Sequence, residues 1–159
     1  MNRNWIIGIV LAVGVIFFVR ARMEADRDGT GAIVDEGSVD AFQVRVGDCF
    51  DDGSTFEGDE VNSVAGVPCS KPHDNEIYAV FDIAATSFPG EAIAGMAHDG
   101  CLERFEGFVG NDYESSSLDI ATMYPSDESW HQGNDREVVC AVYDVDAKKL
   151  TGSVKDTRL

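Results

Sequence analysis

Basic residues are scarce in this chain of 159 residues, where 12 lysines and arginines stand against 29 aspartates and glutamates. The first 23 residues hold Arg3, Arg20 and Arg22 and no acid, leaving nine basic against 29 acidic residues in the rest, a net charge of −20. Such a surface repels nucleic acid and anionic headgroups, because either brings phosphates against carboxylates. No nucleic acid is expected as a partner. Histidine is as sparse, with only His73, His98 and His131 and no two of them four residues apart. That removes the paired-histidine helix on which many catalytic zinc sites rest. No C-x-x-C occurs, no serine stands in a G-x-S-x-G context, and no glycine-rich phosphate loop follows a strand. Repeats and low-complexity tracts are absent too. Each absence removes an enzyme class. The chain is expected to be non-enzymatic, without cofactor and without catalytic residues.

Long apolar runs number one. Trp5–Val19 is an unbroken stretch of 15 apolar residues flanked by arginines. As a helix it spans about 22 Å, short of the ~30 Å hydrocarbon core. Trp5 at one end, with Arg20 and Arg22 snorkelling at the other, makes up the difference. The rival reading is a cleaved signal peptide, with Val19–Ala21 as the small-residue site. That site abuts the apolar run and precedes another arginine, so an uncleaved anchor over 1–22 fits better. The positive-inside rule, counting Arg3 before the span against Arg20, Arg22 and Arg27 after it, puts the following domain in the cytoplasm. Long domains translocate largely regardless of charge, however, and four cysteines at even count point to an oxidising compartment. The expected location is the cell membrane, single-pass, with the C-terminal domain extracytoplasmic.

Residues 23–40 have three glycines, many acids and no sustained period, the composition of a flexible acidic linker. The folded domain is expected over 41–147, followed by a basic tail, 148–159, that either folds back or serves as a handle. Phe42, Val44 and Val46 alternate like a half-buried strand ending at Cys49. Ile77, Ala79 and Phe81 alternate on one face of another. "EAIAGMAHDGCLERFEGFVG" carries a helical stripe of Ile93, Met96, Ala97, Cys101, Phe105 and Phe108. Gly95 and Gly100 weaken it. "SLDIATMY" and "REVVCAVYDV" are strands, and "PSDESWHQGND" a polar loop. Strands around one helix predict an α+β domain with a small, mostly antiparallel sheet, one main packed helix and two disulfides, preceded by the transmembrane helix.

The cysteines Cys49, Cys69, Cys101 and Cys140 allow three pairings. Cys101 lies on the helical stripe and Cys140 sits mid-strand between apolar neighbours, so a bridge there pins helix to sheet. Cys49–Cys69 then closes the acidic loop between two strand ends. "PCSKPHDNE" (Pro68–Glu76) gathers a cysteine, His73, Asp74 and Glu76, and raises the question of a metal or a Cys/His nucleophile. A turn after Pro72, with Asp74 bonding local amides, explains the same residues without chemistry. Asp51, Asp52, Glu57, Asp59 and Glu60 supply oxygens for calcium but do not fit the spacing of the twelve-residue calcium loop. An acidic calcium- or ligand-binding domain is the alternative function they support. Trp130 is an interaction candidate that equally suits the end of the core.

"VGDCF", "VPCSKPHDNEIYAVFD", "FPG", "CLERFEGFVG" and "YPSDESWHQGNDREVVCAVY" together resemble the septum-formation domain family of actinobacteria, over roughly Phe42 to Val145. The family's usual G-D-R stands here as "GNDR", one residue longer. The resemblance implies an exported, membrane- or lipid-anchored protein, and a structural role for His73, Asp74 and Glu76 beside a disulfide cysteine. It brings no catalytic residue set. The expected partners are the membrane, through the N-terminal helix, and proteins of the envelope or of a membrane complex. An accessory subunit or a septum-associated factor is the expected role.

Overall fold

The computed structural model describes residues 24–53 and 61–159. The predicted anchor lies outside them, and among the described residues no helix is long and apolar enough to cross a membrane. Eight strands are described: β1 (Asp26–Arg27), β2 (Ile33–Asp35), β3 (Gly37–Asp40), β4 (Cys49–Asp51), β5 (Ser63–Val67), β6 (Asn75–Asp82), β7 (Leu118–Met123) and β8 (Glu137–Asp144). Two helices accompany them, α1 (Ile93–Val109) and α2 (Asp127–Gln132). Strands β1 and β2 form a small ribbon, and the other six make one sheet in the order β3-β5-β4-β6-β8-β7. Every pairing within that sheet is antiparallel. The class is α+β, as expected from the sequence.

Helix α1 lies on one face of the sheet. Ile93, Ala97, Cys101, Phe105, Phe108 and Val109 form its buried stripe, whereas Met96 is exposed. The stripe packs on Tyr78, Val138, Cys140 and Val142. Fully burying a side chain such as Phe105 contributes about 2–3 kcal/mol. Gly100 permits the close approach, because a Cβ there would strike the Phe81 ring. The adjacent residue makes the Cys101–Cys140 bridge across the same contact, with Cα atoms 5.6 Å apart.

The opposite face buries a second cluster that includes Ile33, Val39, Phe50, Val64, Ile77 and Val139. Ile77 belongs there, not with Ala79 and Phe81 as alternation predicts. The register slips at Tyr78: Ile77 pairs with Ala141 and Ala79 with Cys140, so one extra residue bulges and the faces exchange.

The expected linker is a correction. Residues 24–40 are part of the fold: β3 pairs with β5 over four residues, and Ile33 and Val39 are buried. Arg27 makes a two-pronged bond to the buried Asp48, at 2.6 and 2.7 Å. Gly37 allows residues 24–25 to lie directly on β3, since a Cβ would collide with their backbone. The predicted first strand is also corrected. Asp40 accepts the Phe42 N–H at 2.8 Å and starts a 3-10 turn over Ala41–Gln43, leaving Phe42 and Val46 exposed.

The basic tail folds back, so the domain does not end at 147. Leu150 and Val154 are buried in the helix-side core. The N–H groups of Asp156 and Arg158 bond the carbonyls of Phe108 and Val109 at 2.8 and 2.9 Å, satisfying acceptors that the end of α1 leaves open.

Candidate functional site

The Pro68–Glu76 stretch begins at a disulfide. Cys49, at the start of β4, is bonded to Cys69 just beyond β5, so no free thiolate exists for a nucleophile. His73 is fully buried, and its backbone exchanges both hydrogen bonds with Leu150, at 3.0 and 2.8 Å. Its Nδ1 lies 2.8 Å from the Lys71 carbonyl. A carbonyl only accepts, so Nδ1 carries a proton, and the buried Nε2 has no partner among the described residues. Glu76, equally buried, accepts from the Ser153 hydroxyl and from the Val154 N–H. Asp74 takes the Asp52 N–H at 2.9 Å and the Lys149 ammonium at 2.8 Å. Burial raises the Asp74 carboxyl, but Lys149 and the Asp52 amide outweigh it and hold the group below its ordinary range. The motif straps the C-terminal tail to the sheet.

Among the described residues, metal ligands do not converge there in usable form. Cys49, Cys69 and Glu76 come within 4.8 Å of one another, but both sulfurs are spent in the disulfide and both Glu76 oxygens are bonded. His98 and His131 are exposed on α1 and α2, remote in sequence from His73. Of the calcium candidates, Asp51 is held by Lys149 at 2.7 Å and Asp52 accepts the Asn75 amide at 2.7 Å. The Lys149 ammonium stands where a bound cation would bridge Asp51 and Asp74. Glu57, Asp59 and Glu60 lie outside the described residues.

Trp130 is not a free contact residue. Ser126 and Ser129 cap α2 reciprocally, turning the expected loop into a helix that points the indole inward, where it is 3% exposed. Its ring lies 5.7 Å from Phe88 and 3.5 Å beneath the Arg136 guanidinium. The extra residue of "GNDR" is absorbed at Asn134, whose φ of 52° is a left-handed conformation that asparagine tolerates.

What the surface offers lies instead on either side of the Ala41–Gln43 turn. Beyond Asp40 and Gln43 is a cavity of about 390 Å³, also lined by Glu24, Arg27, Ser38 and Ser63. On the other side a shallow groove of about 60 Å³ runs between Phe42, Val61, Met123, Tyr124 and Val139, with Asp135 and Glu137 at its rim. Phe42 is 64% and Tyr124 44% exposed. Side chains of this kind serve as anchors when covered by a partner. Burial, then the charges of Asp135 and Asp82, push the Glu137 carboxyl above its ordinary range. Among the described residues none of those three carboxylates is in an ion pair. Strand β7, at the sheet edge, is closed to strand addition at its start. There Ser116 and Asp119 side chains take the outward N–H groups of Leu118 and Ile120, at 3.1 and 2.7 Å.

A protein-family model described as septum formation matches residues 46–158, well over half of the chain. The chain belongs to the septum-formation family. No curated protein and no solved structure matches it. The septum-formation match takes in both disulfides, α1, the strap and the tail up to Arg158. It begins after the Phe42 turn, so the exposed surface joins a family part (Val61, Met123, Tyr124, Glu137) to a preceding segment (Glu24, Asp40, Phe42, Gln43). Sequence reasoning missed this surface, having placed Phe42 inside a strand. The D-A-F-Q order, an Asx residue two before the aromatic, is the signal that would have found it.

Proposed function

We propose that this septum-formation domain is a non-enzymatic, membrane-anchored extracytoplasmic interaction module, an accessory subunit of a membrane or envelope complex. One observation carries the reading: an aromatic pair, Phe42 and Tyr124, exposed across an apolar groove while the cysteines, His73, Asp74, Glu76 and Trp130 are consumed in holding the fold. The two disulfides support an oxidising compartment, and the family's description supports a role connected with septum formation.

Purification of the tagged full-length chain from its own membranes in mild detergent, with mass spectrometry of what accompanies it, tests the reading. A stoichiometric membrane or envelope protein is expected. Phe42→Ser combined with Tyr124→Ser should deplete it roughly tenfold or more, as loss of two anchors predicts. Leu102→Ser, on the far helix face, should leave it unchanged. A wild-type chain that migrates alone would end the interaction reading.

A further inference from the structure

Between Val19, the last residue of the apolar run, and Glu24 stand four residues. Fully extended, those five steps reach roughly 18 Å at most. Glu24 itself is fixed: it bridges Ser38 on β3, and the next N–H, of Ala25, bonds the Ser38 carbonyl at 3.0 Å. The bond of Arg27 to Asp48 locks the segment a few residues on. No spacer therefore intervenes between a spanning helix and the folded body. Glu24 and Ser38 line the same cavity as Asp40 and Gln43, and Phe42 stands between the latter two. The Phe42 surface is thus one cavity's width from Glu24, where the described chain begins.

We propose that the domain is seated with its β3 edge at the bilayer surface, and that the groove between Phe42 and Tyr124 takes an apolar side chain from a lysine- or arginine-bearing segment of an integral membrane protein, close to where that protein enters the bilayer. The inference rests on the membrane-anchored interaction reading above. The cationic character follows from charge. Asp135 and Glu137 line the groove, Asp82 pairs with Glu137 across the sheet, and Glu24 and Asp40 line the neighbouring cavity. No described cation is paired with any of the first three. Carboxylates held near lipid phosphates repel them, and a cationic segment relieves both repulsions at once. A second copy of this chain, with the same acidic rim, suits the groove poorly for the same reason.

The test uses the full-length chain in its own membranes, with a photo-crosslinking benzoylphenylalanine placed in turn at Phe42, Ser38 and Leu102. Adducts from 42 and 38 to one membrane protein are expected, mapping to a basic peptide beside a span, with Leu102 silent. Inserting about twelve Gly/Ser residues between Met23 and Glu24, a coil of about 20 Å, should lower the Phe42 adduct roughly fivefold by diluting the surface away from the membrane. Glu137→Lys should lower it comparably. An adduct that ignores the insertion, or maps to a part of the partner far from the bilayer, overturns the seating while leaving the interaction reading intact. Adducts only to lipid, or only to a second copy, overturn the proposed occupant. Release of the chain by alkaline carbonate removes the tether on which the seating depends. No adduct at any position, with a chain that also purifies alone, takes down the interaction reading itself.

Discussion

Two sets of carboxylates divide this acidic molecule. Asp48, Asp74 and Glu76 each answer a donor from a distant part of the chain: Arg27, Lys149, and the Ser153–Val154 pair. Asp82, Asp135 and Glu137 answer no cation among the described residues and crowd one another, Asp135 and Glu137 lining an apolar groove and Asp82 paired with Glu137 across the sheet. The first set closes the fold, stitching the N-terminal segment and the C-terminal tail onto the sheet. The second set costs the fold a little: Asp135 accepts from the Ser129 hydroxyl and the Glu137 N–H, but the charge of all three is left without a cation among the described residues. With charge this lopsided, composition alone does not separate them; partners do.

The largest effect should come from Glu76. Removing its side chain leaves the Val154 N–H buried without an acceptor and frees the Ser153 hydroxyl, while opening a void beside the Cys49–Cys69 bridge. Glu76→Ala should destabilise by about 3 kcal/mol. In thermal unfolding of the full chain that is a drop of roughly 10 °C. A loss under about 1 kcal/mol would mean the tail is not held through this residue. Next comes Arg27→Ala, which strips the buried Asp48 of both side-chain donors and should cost about 2–3 kcal/mol. An unstructured spacer would show no such cost, so urea unfolding of this one variant checks whether residues 24–40 belong to the body.

Local pattern made the centre of the molecule legible. The three-and-four spacing from Ile93 to Phe108, and the valines around Cys140, each describe a surface that must be buried, and their meeting puts Cys101 against Cys140. What escaped depends on contacts made across the chain or on single hydrogen bonds. The glycines and acids of 24–40 look like coil until Arg27 finds Asp48, 21 residues away. The tail looks like a handle until Glu76, 78 residues before Val154, supplies an acceptor. Trp130 reads as a loop residue, because two serines three apart are a weaker cap signal than Ser followed by Glu, yet they suffice to start α2. Tyr78 shifts the face of its strand by one residue, and no periodicity in its neighbours announces the bulge. At the candidate surface the residues are visible but their exposure is not, since it depends on the turn that Asp40 starts and the Ala41 N–H bond to the Asn62 carbonyl holds.

The two smallest effects sharpen the comparison by having opposite signs. Asp74 is held below its ordinary value near 3.8, so it contributes stability above that pH and loses it as pH falls through the lower folded value. Lys149→Met should remove under about 1 kcal/mol at neutral pH and flatten that acid dependence, because the pair is half-exposed and screened. Glu137 is held above its ordinary value near 4.5, and the sign reverses. The folded state binds the proton more tightly, so stability falls as pH rises through the window between the ordinary and the raised value. Glu137→Gln should therefore stabilise the chain at pH 7, by no more than a few tenths of a kcal/mol given the group's exposure. The gain should fade below about pH 4.5, where the unfolded chain is protonated too. Denaturant midpoints for wild type and variant across that range decide it. A variant less stable than wild type at neutral pH would show that Glu137 has a cationic partner within the fold, and the acidic rim would then belong with the first set.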